Sequence, residues 1–252
     1  MTSAHRIRTV VLLAAAAGIA AACARLGVWQ MDRLAQRRAL NTLLLSRMGE
    51  RAVDVAKLPA DTGAGHYRIA TARGTFDYSR EFAWAARVRH GSPGINLLTP
   101  MRVAGVDGLL IVNRGWAYSP DAKSVEFSRW RERDTATVTG YVETWQQSCG
   151  ATAGTLPPTC ADTAERVLRR LDRAAAARLA GAPVAAYLLV QTSDSALRPD
   201  SIPVRAEAPE LDEGPHFGYA VQWFAFASIA LVGGVALALR GASRQVPGGG
   251  HE

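Results

Sequence analysis

Two long apolar runs, one at each end of the chain, constrain the fold more than any other feature. The second is the cleaner. Phe217 to Leu239 contains no charged residue and is long enough to cross a bilayer as a helix. The first covers Thr9 to Ala24. Extended to Trp29 it also spans, provided Arg25 lays its guanidinium among the headgroups. Trp29 then sits in the interfacial aromatic belt.

A secretory signal is the rival reading of the first run. His5, Arg6 and Arg8 precede it, small residues follow, and Ala20-Ala21-Ala22-Cys23 has the look of a weak lipoprotein cleavage site. The run leads straight into a patterned segment with no linker, which favours a retained span.

Charge supports the membrane reading and argues against nucleic acid. The chain has 252 residues and a net charge of +7. Of the basic residues, Arg6, Arg8, Arg25, Arg240 and Arg244 lie outside Gln30–Pro215, against the single acid Glu252. The excess therefore gathers near the apolar runs rather than on one face of a domain. Glu207, Glu210, Asp212 and Glu213 precede the second run; Arg240 and Arg244 follow it. The basic side stays cytoplasmic, so both termini lie inside and the middle lies outside.

The middle reads as one α+β domain. Met31 to Met48 carries leucines among arginines and predicts a helix, continuing from the first span or bending at the surface. Glu50 to Gly65 reads as a loop. The pattern then changes to period two. Tyr67, Ile69 and Thr71 alternate until Gly74; Phe82, Trp84, Ala86 and Val88 alternate next. His90 to Gly94 reads as a turn. Ile95 to Leu98 and Met101 to Val103 follow, joined through Thr99-Pro100. Leu109 to Val112 is continuously apolar and predicts a strand buried on both faces, closed by Asn113-Arg114-Gly115-Trp116. Thr135 to Trp145 and Pro183 to Gln191 are further strands. Thr163 to Leu179 predicts a helix, and Arg198 to Pro215 an irregular link. Short turns imply antiparallel pairing. The expected fold is two transmembrane helices flanking a mainly antiparallel β domain with one or two packed helices. Its segments are a tail 1–8, a span 9–29, the domain 30–215, a span 216–239 and a tail 240–252.

Catalytic signatures are absent: no GxSxG, HExxH, phosphate loop or GxGxxG. The chain reads as a non-enzyme. Cys149 and Cys160 bracket a glycine- and threonine-rich loop. Outside the plasma membrane they predict a disulfide, adding about 3 kcal/mol at most; a metal or redox pair is the rival use. Arg114, after a buried strand, could bind an anion or pair with a sheet carboxylate.

The mouth of the second run is the chemically distinctive stretch. His216 opens it, and Tyr219, Gln222, Trp223 and Phe226 fall on one helical face. An amide within a membrane helix needs a partner. His216 reads either as a helix cap near the headgroups or as an axial ligand, with a porphyrin against the aromatics.

Several blocks then fall into a familiar order. Leu26-Gly27-Val28-Trp29-Gln30 with Arg33, Arg37 and Leu40 resembles the opening signature of the Surfeit locus protein 1 family, in its bacterial form. Tyr67-Arg68 with Gly74-Thr75-Phe76-Asp77, Leu98-Thr99-Pro100, Val112-Asn113-Arg114-Gly115-Trp116 and Gly140-Tyr141-Val142-Glu143 are similar to its internal blocks. His216 to Phe226 is similar to its C-terminal signature. The Cys149–Cys160 loop departs from that pattern.

The resemblance implies an assembly factor for haem-copper cytochrome c oxidase in the bacterial plasma membrane. It implies work with subunit I and other oxidase assembly factors, assisting haem a insertion or stabilising the subunit. Haem a is the implied cofactor, taken up between the two spans. His216 is its candidate iron ligand, with Tyr219, Trp223 and Trp29 against the macrocycle and Gln222 hydrogen-bonding a substituent or the first span. The alternative is a membrane-anchored scaffold that grips oxidase subunits and binds no haem.

Overall fold

The computed structural model describes residues 3–59, 61–146, 161–162, 164–192, 203–207, 209 and 211–243. It contains the expected end helices and the mainly antiparallel β domain. Contacts divide the chain into two compact units, 1–43 with 211–252, and 44–210.

The first unit is a pair of antiparallel helices. α1 runs unbroken over Ser3–Gly49, so the predicted Met31–Met48 helix is its continuation and not a separate element. Later in the chain, His216–Ser243 forms the unit's second helix. Each is long and apolar enough to cross a membrane.

The second unit is built from strands β1 (Val53–Asp54), β2 (Ile69–Phe76), β3 (Phe82–Arg89), β4 (Ser92–Val103), β5 (Leu109–Tyr118), β6 (Thr135–Thr144), β7 (Ala161–Asp162), β8 (Val167–Leu168) and β9 (Val184–Gln191). Two short helices belong to it, α2 (Thr62–Gly65) and α3 (Arg173–Ala180); His216–Ser243 is then α4. Five strands close on themselves: β2 pairs β6, β6 pairs β9, β9 pairs β5, β5 pairs β4, and β4 returns to β2. The closure uses the unusual length of β4. Its first half pairs with β3, at Phe82↔Leu98, and its end pairs with β2, at Phe76↔Met101.

Pro100 sits where β4 changes partner. Its carbonyl accepts from Asp77 N at 2.8 Å, so its edge facing the change of partner is the one lacking an N–H. The ladder to β5 therefore keeps its donors. Gly74 pairs with Ala136 on one side and Val103 on the other. A Cβ there would strike the Arg102 carbonyl, so only glycine allows β2 to join both neighbours.

Alternation explains the two cores. Leu110 and Val112 of β5, with Ala185, Tyr187 and Leu189 of β9, fill the closed ring with Ala72 and Val138. The intervening Leu109, Ile111, Val184 and Leu188 form the opposite core with Ala175 and Ala176 of α3. Both faces of β5 are covered, as its continuous apolar run predicted.

Three expectations need correcting. The predicted helix from Thr163 starts only at Arg173, because Asp172 caps it by accepting from Ala175 N, and Val167–Leu168 pairs with β3 instead. Asn113-Arg114-Gly115-Trp116 does not end β5 but forms its second half. The turn before β4 is tighter than predicted, since Ser92 and Pro93 already pair with Arg89 and Val88. Pairing is mainly antiparallel, as expected, with β5–β9, β1–β2 and β3–β8 parallel. The predicted link also joins the sheet in part, with Val204 bridging to Trp116 and Ala206 to Thr192.

Candidate functional site

Each unit carries one concentration of chemistry. In the helix pair it follows from the seam. Covered or half-covered positions on α1 include Ala16, Ala20, Cys23, Gly27, Gln30 and Leu34. On α4 they include His216, Ala220, Trp223, Ala227, Ala230 and Gly234. Both series step by four and three in turn, the spacing of a left-handed supercoiled pair. Small residues let the backbones approach. A Cβ on Gly27 would lie 2.7 Å from the Phe224 ring, and one on Gly234 would lie 2.5 Å from Ala16 Cβ.

Polar residues close the seam at one end. His216 Nδ1 lies 2.9 Å from Gln30 Oε1. Beyond it, Asn41 Nδ2 donates to the Leu211 carbonyl at 2.9 Å, and Arg38 makes a two-bond pair with Glu213. Arg38 holds the Glu213 carboxyl below its ordinary range, chiefly by hydrogen bonding. In the tautomer that donates from Nδ1 to the Gln30 oxygen, Nε2 is the nitrogen with the lone pair. Gly214, at φ +71°, puts no side chain beside that lone pair; a Cβ there would lie 3.5 Å from Nε2.

The other predicted site residues divide. Trp223 is half-buried in the seam, its ring edge-on to Phe226 at 5.9 Å between centroids. Trp29 and Tyr219 are 43% and 46% exposed, and the Arg33 guanidinium stands over Trp29 at 5.6 Å. Gln222 is exposed. Cys23 is free and half-buried. Cys149 and Cys160 lie outside the described residues. Among the described residues, no group of three or more His, Cys, Asp or Glu is placed to hold a metal ion.

The second concentration is the β5 motif. The register with β4 slips between Leu97↔Gly115 and Leu98↔Asn113, leaving Arg114 as the extra residue of a bulge. Gly115 takes φ +125°, and Asn113 Oδ1 accepts from its N–H at 3.1 Å. The bulge turns Arg114 into the protein, where it is fully buried. Its guanidinium donates to Glu81 Oε1 at 2.5 Å, Glu132 Oε1 at 2.6 Å, Thr99 Oγ1 at 2.7 Å and the Trp130 carbonyl at 2.8 Å. It stands 5.0 Å over the Tyr78 ring, whose hydroxyl pKa is raised mainly by burial. Arg205 completes the set, donating to Glu132 Oε2 and to the Arg114 carbonyl, each at 2.5 Å.

Two arginines thus meet two carboxylates, and Arg114 serves as a structural ion-pair partner. The motif and Thr99 were visible in the sequence, but Glu81, Glu132 and Arg205 were not singled out. Glu81 borders an alternating run, Glu132 is hidden in Arg131-Glu132-Arg133-Asp134, and Arg205 sits in a segment that reads as a loop.

The comparisons cover both concentrations. The SURF1 family profile matches residues 17–228. A SURF1-like protein of Monosiga brevicollis is 21% identical over 229 residues, covering 87% of this chain and 84% of that protein. The matched region takes in most of the helix seam and the whole β domain. With most of its length matched by that profile, this chain belongs to the SURF1 family.

Proposed function

We propose that this protein is a non-enzymatic membrane factor for assembly of haem-copper cytochrome c oxidase, assisting haem a insertion into subunit I or stabilising that subunit. Its two helices would cross the plasma membrane of a bacterium with both termini cytoplasmic. Acidic Glu207, Asp212 and Glu213 before α4, and Arg240 after it, favour that orientation. The β domain would then face the cell exterior or periplasm, meeting subunit I and other assembly factors.

The observation that carries the haem part is the His216–Gln30 bond at 2.9 Å. A ligating imidazole ordinarily donates its second N–H to an oxygen that fixes its tautomer and orientation, and Gln30 occupies that role. Gly214 adds no side chain of its own beside Nε2. The donor set therefore suits a haem iron. When bound, haem a supplies the iron that takes the Nε2 lone pair. His216 orients it, and the exposed rings of Trp29 and Tyr219 offer apolar faces, with Trp223 beside them. Gln222 is free to hydrogen-bond a substituent. Close packing at Gly27–Phe224 fills the seam there, so residues on the flank of the pair, His216 with Trp29 and Tyr219, would hold the group.

The test is an absorption spectrum of protein purified from cells with and without haem a synthesis. The reading expects a haem a spectrum in the first preparation, lost in His216→Ala. Subunit I co-purifying with pigment-free protein, with oxidase activity intact in His216→Ala, would support the haem-free scaffold instead. The exposed Tyr219, Gln222 and Phe226 side chains would then be its helix-docking face.

A further inference from the structure

A second cluster of arginines in the β domain contains one, Arg87, that has no carboxylate partner among the described residues, beside Arg89 and Arg205, which pair with Glu207 and Glu132. A cleft of about 200 Å³ is lined by Arg87, Arg89, Asn96, Trp116 and Arg205. Arg87 is half-buried, with its guanidinium 4.1 Å over the Trp84 ring. Its side chain donates to the carbonyl of its own neighbour, Ala86, at 3.1 Å. Among the described residues no carboxylate lies within ion-pair distance of it. Burial alone pushes its pKa down, with no acid acting to raise it.

Two further donors stand unused nearby. Arg205 is 4% exposed, and its Nε has no hydrogen-bond partner. The Trp84 Nε1, on the ring beneath Arg87, has none either. Among the described residues, Arg89 is tied only to Glu207, whose side chain is 72% exposed. Such a surface pair is weak and readily exchanged.

Half-burying a guanidinium with a single backbone carbonyl as acceptor leaves its charge poorly compensated, and an aromatic face offsets only part of that. The component that would complete the arrangement is an acceptor carrying negative charge. The arginine fork matches the oxygen spacing of carboxylate and phosphate groups. We infer that the cleft bounded by β3, Trp116 and residues 204–206 binds an oxyanion, carboxylate or phosphate, with Arg87 as its principal donor and Arg89 beside it. The site stands on the β domain alone and is independent of the haem proposal.

The test follows thermal unfolding of the detergent-purified full chain while inorganic phosphate, acetate or chloride is added at matched ionic strength. Phosphate or acetate should give a saturable rise in Tm that chloride does not reproduce. Whichever saturates at lower concentration names the group on the natural ligand. Arg87→Gln should abolish the saturable rise, weakening binding by tenfold or more. In anion-free buffer the same variant should stay close to the parent in stability, because relief of the guanidinium's partial desolvation and loss of its stacking on Trp84 oppose one another. Equal shifts with all three anions, or a saturable rise persisting in Arg87→Gln, would overturn the inference.

Discussion

His216 Nδ1 and Gln30 Oε1 meet at 2.9 Å although 186 positions separate them in the chain. The contact joins the head of α4 to α1, and Gln30 is only 8% exposed. Gln30→Leu keeps the volume but removes the acceptor. Loss of such an outer partner lowers metal affinity or activity by about 10–100-fold. Haem a retention should fall by that order while circular dichroism stays unchanged. Undiminished retention in Gln30→Leu would remove the proposed role of the amide.

Arg114 and Glu81 are respectively 0% and 1% exposed as side chains. Removing one partner strands a buried charge, at a cost of about 3–5 kcal/mol. Arg114→Met should lower the urea midpoint of the β domain accordingly. Arg114→Met combined with Glu81→Leu should recover part of the loss, since it deletes both charges together. If the single substitution leaves the midpoint unchanged, the network does not hold the bulge.

The helix seam distinguishes adjacent glycines. A Cβ on Gly233 meets nothing within 4 Å, whereas one on Gly234 falls 2.5 Å from Ala16 Cβ. Gly233→Ala should leave detergent stability unchanged or slightly improved. Gly234→Ala should lower Tm and loosen α1 from α4, read as faster proteolysis of the pair. Identical behaviour of the two variants would contradict the packing.

Tyr141 sets the response to alkali. Burial first, then Glu143 and Tyr67, push its hydroxyl up to about 12 from an ordinary 10.0. A raised pKa means that the folded state holds the proton more tightly. The associated stability is complete below about pH 10 and is lost as pH rises toward about 12. Tyr141→Phe should therefore flatten stability across that interval, measured as unfolding midpoints at stepped pH. An equally steep decline in the variant would show that other groups govern the alkaline limb.

The elements legible in sequence were those whose pattern is local. The uncharged run from Phe217 to Leu239 announced α4, and the doubly apolar Leu109–Val112 announced a strand covered on both faces. Closure of the ring was not legible, because it depends on β4 changing partners around Pro100, a long-range event marked only by a proline and by Gly74. Helix propensity of the alanine- and arginine-rich segment overreached toward Thr163, where pairing of Val167–Leu168 with β3 overrode it. At the helix pair, His216 was conspicuous by chemistry. Gln30 stood out as the last residue of the Leu26–Gln30 block, but its hydrogen bond to His216 emerged only from the seam, since a glutamine beside a tryptophan carries no spacing signal. The Arg114 motif was visible, while its carboxylates were hidden in charged surface sequence.

Oxidase assembly is the central claim, and removing the protein tests it most directly. Cytochrome c oxidase activity, with haem a content of subunit I, should be measured in membranes of a strain lacking this gene and in the same strain re-expressing the chain. The account predicts that both fall in the deletion strain and return on re-expression of the parent protein, while His216→Ala restores them poorly. Fully active oxidase with normal haem a content in the deletion strain would contradict it.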